Sequence, residues 1–233
     1  MNKDIKIMIE LQRYWDNISL AKKEIERCSK NITYWENELA QKEKMLLKMS
    51  QDLKTGKADL REKELHLNEL DDRIKKLESR RIQLKTEREM EALDNEMKKV
   101  KSDDEELEGH LLELMESLEI MENEILAEQT LLQEQKAETA KSVEKLNNDI
   151  QNYNSIVSSN KNSFDSLLPN LHASHQSRFT KLLQSKDGKA IGEVHGEICG
   201  TCNFQIPSQL AQDASSSVKT VSCTNCGRYI YKQ

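Results

Sequence analysis

Four of the five cysteines stand as two Cys-x-x-Cys pairs, Cys199-Gly-Thr-Cys202 and Cys223-Thr-Asn-Cys226, with twenty residues between the pairs. Thiolates at this spacing close tetrahedrally around a single zinc ion. A four-thiolate set leaves no open coordination position, so the expected Zn2+ is structural rather than catalytic. A redox site of the thioredoxin kind needs one such pair in a βαβ setting, not two on knuckles. His195 is a weak substitute ligand, and His172 and His175, three apart on a helix, do not make a metal pair. Cys28 falls on a helix seam and reads as a small buried apolar residue.

The elements around the cysteines are short. Ala190–Ile198 reads as a strand with Ile191, Val194 and Ile198 as its apolar members, and Gly227 after the last cysteine tolerates positive φ. Residues 218–222 lead into the second knuckle, and Arg228-Tyr-Ile-Tyr231 leads out as a strand. Strand, knuckle and strand on both sides describe a C4 zinc ribbon over residues 189–233. So short a segment has too little core of its own, and metal should be required for its folding. Before it, residues 171–188 form a short helix with Leu171, Phe179 and Leu182 or Leu183 inward, then a turn over 185–188.

Everything earlier is helical and charged. The chain is 36% hydrophobic, 33% charged and only 4% aromatic, which argues against one large globular core and for long helices with a narrow apolar seam. From Leu11 an unbroken series at seven-residue spacing runs through Ile18, Ile25, Ile32, Leu39, Leu46, Leu53, Leu60 and Leu67 to Ile74. Its companion series, from Tyr14 to Leu77, is interrupted by Lys42, Gly56 and Lys63, which should weaken the seam locally. A second pair of series includes Leu93, Met97, Val100, Leu107, Leu111, Leu118, Ile125 and Leu132, is broken by Asp104, and fades near 128–139. Such repeats produce a left-handed coiled coil.

The register is lost near Arg80, Arg81 and Lys85, and Thr86-Glu-Arg-Glu89 fits a capping box. A turn at 82–87 makes residues 1–170 a long antiparallel coiled-coil hairpin, each arm about 120 Å at the α-helical rise. An intermolecular parallel coiled coil is the rival reading, and Thr55-Gly56 and Ser102–Glu105 are rival turns. If residue i faces about 172 − i, then Tyr14, Trp15, Tyr34 and Trp35 share the hairpin base with Tyr153 and Phe164. The fold class is therefore mainly α, with a small C-terminal zinc-ribbon domain and no transmembrane helix.

Charge is uneven along the hairpin. Residues 73–101 hold ten Lys/Arg against six Asp/Glu, whereas residues 102–135 hold twelve Asp/Glu and no Lys or Arg. The acidic stretch reads either as a solvated face or as a docking surface for a basic protein. The docking reading uses Glu113, Glu116, Glu119 and Glu124, helped by Leu112, Ile120 and Leu126 outside the seam.

At this point the chain resembles a bacterial family with a long coiled-coil hairpin followed by a C4-type zinc ribbon. The residues that carry the resemblance are Thr86-Glu-Arg-Glu-Met-Glu-Ala-Leu93, Glu106-Leu-Glu-Gly-His-Leu-Leu-Glu-Leu-Met-Glu116 and Cys199-x2-Cys202 with Cys223-x2-Cys226-Gly-Arg-Tyr-Ile-Tyr231. Thr224 stands where many members have proline. Members from flagellated epsilonproteobacteria look like regulators or chaperones that bind sigma-54 and flagellin messenger RNA. The Asn-, Ser- and Lys-rich character here is more similar to chlamydial members associated with sigma-54 and type III secretion. The resemblance thus implies protein partners such as sigma-54 and the secretion ATPase or its stator.

The expected function is a non-enzymatic, cytoplasmic adaptor, monomeric or dimeric, that bridges such partners. No Gly-rich phosphate loop, nucleophile–base constellation or open metal site argues for an enzyme. The alternative is nucleic-acid binding by the ribbon through Lys219, Arg228, Tyr229 and Lys232. Residues 186–233 carry five bases and four acids, which is a faint electrostatic footprint for that role.

Overall fold

The structure is a computed structural model and describes residues 2–185, 187–215 and 219–232. Two long helices pack as an antiparallel hairpin: α1 is Lys3–Arg81 and α2 is Glu87–Leu167. Both Thr55-Gly56 and Ser102–Glu105 lie inside these helices, so the turn falls in the expected place. There the Thr86 carbonyl accepts the first helical hydrogen bond from the Met90 N–H at 3.2 Å. The capping box closes differently from expectation: the Thr86 hydroxyl donates to the Glu89 carboxylate at 2.6 Å rather than capping the backbone.

Compact units divide the chain along lines other than the expected boundaries at 170 and 188. Tyr34–Lys141 forms one unit, and Met1–Thr33 with Ser142–Gln233 forms the other. In the Tyr34–Lys141 unit, Leu70, Leu77, Leu93, Met97 and Val100 make a buried cluster below the turn. Farther from it, Leu111, Leu118, Ile125 and Leu132 of α2 are buried, while Leu39, Leu46, Leu53, Leu60 and Leu67 of α1 are only half-buried. Two helices alone cannot enclose a seam, so part of the apolar stripe stays open to solvent.

Polar pairs across the hairpin mark the pairing. Arg73 meets Glu96 at 2.7 Å, Lys101 meets Glu78 at 3.3 Å, and Lys57 meets Glu122. All are exposed, so they specify register more than they stabilise. The facing positions sum mostly to values above 172, a shift of a few residues from expectation.

The gaps in the α1 series have concrete roles. Gly56 leaves room for Leu118: a Cβ at Gly56 would stand 2.6 Å from its Cδ2. Its missing side chain is therefore used by the seam. Lys42 donates to the Gln135 side-chain carbonyl at 2.7 Å, a polar layer where the α2 pattern fades. Asp104 has one carboxylate oxygen buried without a partner.

Around the base, the other unit adds a 3-10 turn over Leu168–Asn170 and α3, Ala173–Ser185. Then come β1 Ile191–His195, β2 Ile198–Cys199, α4 Ser208–Asp213, β3 Val221–Ser222 and β4 Tyr229–Tyr231. Strand order is β2-β1-β4-β3, with β1 and β4 parallel and the outer pairs antiparallel. Each outer strand thus belongs to one antiparallel pair, and the two pairs join through β1 and β4.

One core serves the hairpin base and the sheet. Ile5, Met8 and Leu11 of α1, Phe164 of α2, Phe179 and Leu183 of α3, and Ile191 and Tyr229 of the sheet are buried together. Tyr14 and Trp15 pack on this core, and Trp15 meets Phe164 at 5.9 Å between ring centroids. Tyr34 and Trp35 do not join it. They belong to the Tyr34–Lys141 unit, where Tyr34 is exposed and both line a cavity of about 200 Å³ beside Lys42 and Gln135.

Candidate metal centre

The four cysteines converge from two hairpins. Their Sγ atoms all lie within 4.8 Å of one another, and Cys202 Sγ stands 3.8 Å from Cys223 Sγ. Four sulfurs at the usual zinc–sulfur length of ~2.3 Å would stand about 3.8 Å apart along a tetrahedron edge. The donor set therefore fits a tetrahedral cation with little rearrangement. Cys199 and Cys223 are buried, while Cys202 and Cys226 are partly exposed. Neither His172, His175 nor His195 belongs to the group.

Both knuckles repeat one backbone design. The N–H of the first cysteine donates to the carbonyl five residues on, Cys199 to Phe204 at 3.0 Å and Cys223 to Arg228 at 2.9 Å. The residue after the second cysteine donates back to the first cysteine's carbonyl: Asn203 to Cys199 at 2.8 Å and Gly227 to Cys223 at 3.0 Å. Both of those residues have positive φ, 56° at Asn203 and 73° at Gly227. Sequence reasoning found Gly227 but passed over Asn203, which tolerates the left-handed region better than most non-glycine residues. Its place directly after a Cys-x-x-Cys pair was the available signal.

Thiol electrostatics are arranged by the same loops. Burial opposes ionisation of Cys202, but the Phe204 N–H, the Asn225 side chain and the Cys226 and Cys199 thiols outweigh it and bring Cys202 down to about 6. Burial pushes Cys223 up to about 12, assisted by the Cys226 and Cys202 thiols and opposed by the backbone N–H groups of Cys226 and Asn225. Without a cation the cluster favours one thiolate and resists the next. A bound divalent cation would supply the positive charge that lets all four ionise.

Second contacts seat the knuckles. Gly192 of β1 lies so close to Thr201 that a Cβ would fall 1.8 Å from the threonine Oγ1. From α3, Arg178 donates to Ser222 Oγ at 3.0 Å and to the Gly227 carbonyl at 2.9 Å. Its guanidinium also lies 5.0 Å from the Tyr229 ring centroid. The His175 ring hydrogen-bonds the Tyr229 hydroxyl through Nδ1 at 3.1 Å and Thr220 through Nε2 at 3.2 Å. Gln12 of α1 was not singled out from sequence. It is buried, accepts from the Ala190 N–H at 2.7 Å and donates to the Gly188 carbonyl at 2.7 Å.

Several expected placements change. Ile198 is exposed, because Gly196, at φ 65°, turns the chain between β1 and β2 instead of one strand running through. Arg228 and Tyr229 are buried, at 7% and 1% exposure: Tyr229 opens the inner strand β4, and Arg228 immediately precedes it. The Arg228 Nε donates to the Lys189 carbonyl at 2.9 Å. These two residues therefore do not form an outward nucleic-acid face. Lys219 is exposed and Lys232 half-exposed. Val218 of the lead-in segment and Lys186 of the expected turn lie outside the described residues.

On α2, Leu112, Ile120 and Leu126 are exposed at 67%, 54% and 64%, and Glu113, Glu116, Glu119 and Glu124 are exposed as well. At the helical advance of about 100° per residue, these seven positions fan across nearly half of the helix circumference. They make a broad apolar-and-acidic surface, not one stripe. Among the described residues, Lys57 is the one Lys or Arg that pairs with an acid of 102–135. No helix of the described residues is long and apolar enough to cross a membrane.

No family model matches the chain, and no curated protein matches it. Solved structures do share the fold. The CT398 protein of Chlamydia trachomatis is 18% identical, with a TM-score of 0.89 over 99% of this chain and 98% of that one. The HP0958 protein of Helicobacter pylori is 16% identical, with a TM-score of 0.65 over 100% and 98%. A protein of Mycobacterium smegmatis is 17% identical, with a TM-score of 0.73 over the whole of both chains.

Proposed function

We propose that the chain is a non-enzymatic, zinc-binding adaptor that holds one protein partner while presenting a second surface on its helical hairpin. The observation that carries this reading is the acidic span 102–135, where one cross-helix lysine offsets twelve acids and Leu112, Ile120 and Leu126 stand in solvent. Exposed apolar side chains also stand at Leu20, Leu47 and Leu65, but at 112–126 they are set among acids, and apolar anchors within a charged surface are what a steered protein interface uses. Zinc is the ion best matched to four thiolates, and its role is to fasten the two knuckles. The resemblance at the turn, in α2 and in the ribbon makes sigma-54 and the type III secretion ATPase or its stator the partners to try first.

The test is a pull-down of those candidates from purified components by the full chain, alongside the triple variant with Glu113, Glu116 and Glu119 changed to lysine. Loss of capture with unchanged helicity supports the adaptor. Equal capture by both proteins sinks the acidic surface as the docking site. Metal content is a separate readout: the Cys226→Ser chain should lose most of its one equivalent of zinc. Nucleic-acid binding by the ribbon is the poorer reading, because Arg228 and Tyr229 face inward.

A further inference from the structure

The open side of the coiled-coil seam widens at one place into a groove of about 510 Å³. Its floor is Leu46, Met49 and Leu132, and Met45 and Leu131 form its rims. Leu132 is buried, Leu46 and Met49 are half-buried, and Met45 and Leu131 are 66% and 45% exposed. Glu124 and Glu128 line the α2 side. The groove lies wholly within the Tyr34–Lys141 unit.

Its dimensions follow from helix geometry. Residues 42–49 and 124–132 each cover about two turns, or ~10–12 Å, the length over which a helix presents an i, i+3, i+4, i+7 stripe. A third helix laid there would complete the enclosure that two helices leave unfinished. Methionines at the rim and floor suit such a surface because their unbranched side chains adapt to different apolar partners. Lys42 is turned to Gln135 at 2.7 Å, and the α2 side carries acids without a neighbouring base in sequence from 102 to 135. An occupant must therefore bring an apolar stripe and positive charge beside it.

We infer that this groove docks an amphipathic helix of a partner protein, with Leu, Ile or Met along its stripe and Lys or Arg on the flank that meets Glu124 and Glu128. The inference rests on the adaptor reading; the groove shares Glu124 with the surface of Leu112, Glu113, Glu116, Glu119, Ile120 and Leu126 and is otherwise lined by different residues.

The probe is a fluorescein-labelled 18-residue Leu/Lys peptide with apolar residues at helical spacing, titrated with the full chain at physiological salt and read by anisotropy. A peptide of the same composition with the stripe scrambled is the control for mere charge attraction. The expected result is saturable one-to-one binding, at least tenfold weaker for the scrambled peptide and for the Met45→Glu/Leu131→Glu double variant. Leu65→Glu, at an exposed position outside the groove, should leave affinity within twofold of wild type, and circular dichroism should show all variants equally helical. Equal binding of both peptides overturns the proposal, as does undiminished binding by the double variant. It also falls if the wild-type chain is a dimer that the double variant dissociates, since a second copy then fills the groove. Should the groove fail while the glutamate-to-lysine variant still loses its captured protein, the adaptor reading stands without it.

Discussion

Asn203 and Gly227 show how much a single backbone conformation can decide. Each follows the second cysteine of its pair, each has positive φ, and each returns its N–H to the first cysteine. Asn203→Ala keeps every thiol and the same Cβ but loses the short polar side chain that eases the left-handed region, at a cost of some fraction of the roughly 1–2 kcal/mol that region imposes on an L-residue. We expect weaker metal retention against a chelator competitor, whereas Asn203→Gly should retain metal as wild type does. Tyr229 offers a second test. Burial raises its hydroxyl above the usual tyrosine range, against the opposing pull of Arg178. The folded state thus holds the phenol proton more tightly than the unfolded chain does. Its stabilising contribution is complete below the unfolded value of about 10 and is lost as pH rises from there through the folded value. Melting temperature should fall more steeply above pH 10 for wild type than for Tyr229→Phe.

At the scale of elements, the apolar repeat made the two long helices and the place of their turn legible in sequence, because register loss and the Thr86–Glu89 box coincide. The seam's quality was less legible. Lys42 and Gly56 read as defects, yet Gly56 admits Leu118 and Lys42 finds Gln135. Such complementarity depends on which residues face each other across the hairpin, and a few residues of pairing shift suffice to hide it. Asp104 is the seam position that remains unfavourable, with a buried oxygen lacking a partner. Asp104→Leu would remove that group and fill a heptad position, worth about 1–3 kcal/mol. A higher melting temperature of the hairpin, followed at 222 nm, is the expected outcome; a lower one would mean that the site does not behave as seam.

For the whole chain, the four cysteines were readable from spacing alone, but the wall behind them was not. Arg228 and Tyr229 read as part of the alternative nucleic-acid surface because a base and an aromatic ring are the residue types such a surface uses. The sheet order places Tyr229 between β1 and β3, against Phe179 and His175 of α3, with Arg228 tied to the Lys189 carbonyl beside it, and no local pattern announces a parallel pairing of strands nearly forty residues apart. The groove beside Met45 and Leu131 was hidden for a similar reason, since residues next to a seam look like its edge. A shared core makes a further prediction. Because Tyr229 and Ile191 are buried with Ile5, Met8 and Leu11, removing metal should loosen α1 at its start as well as the ribbon. Hydrogen exchange after treatment with a strong zinc chelator should speed up at residues 5–12 and stay unchanged near Leu70–Val100.

That same core sets an order of events during synthesis. Gln12 waits for Ala190, 178 residues downstream, before its buried amide is satisfied. At ribosomal rates of ~5–20 residues per second, the early apolar residues stand exposed for about 10–35 seconds. Contacts this distant also form slowly because of the loop they must close. The nascent helix therefore passes through a window in which Ile5, Met8 and Leu11 are adhesive, and a chain stalled before Phe164 would leave the ribosome with that window never closed.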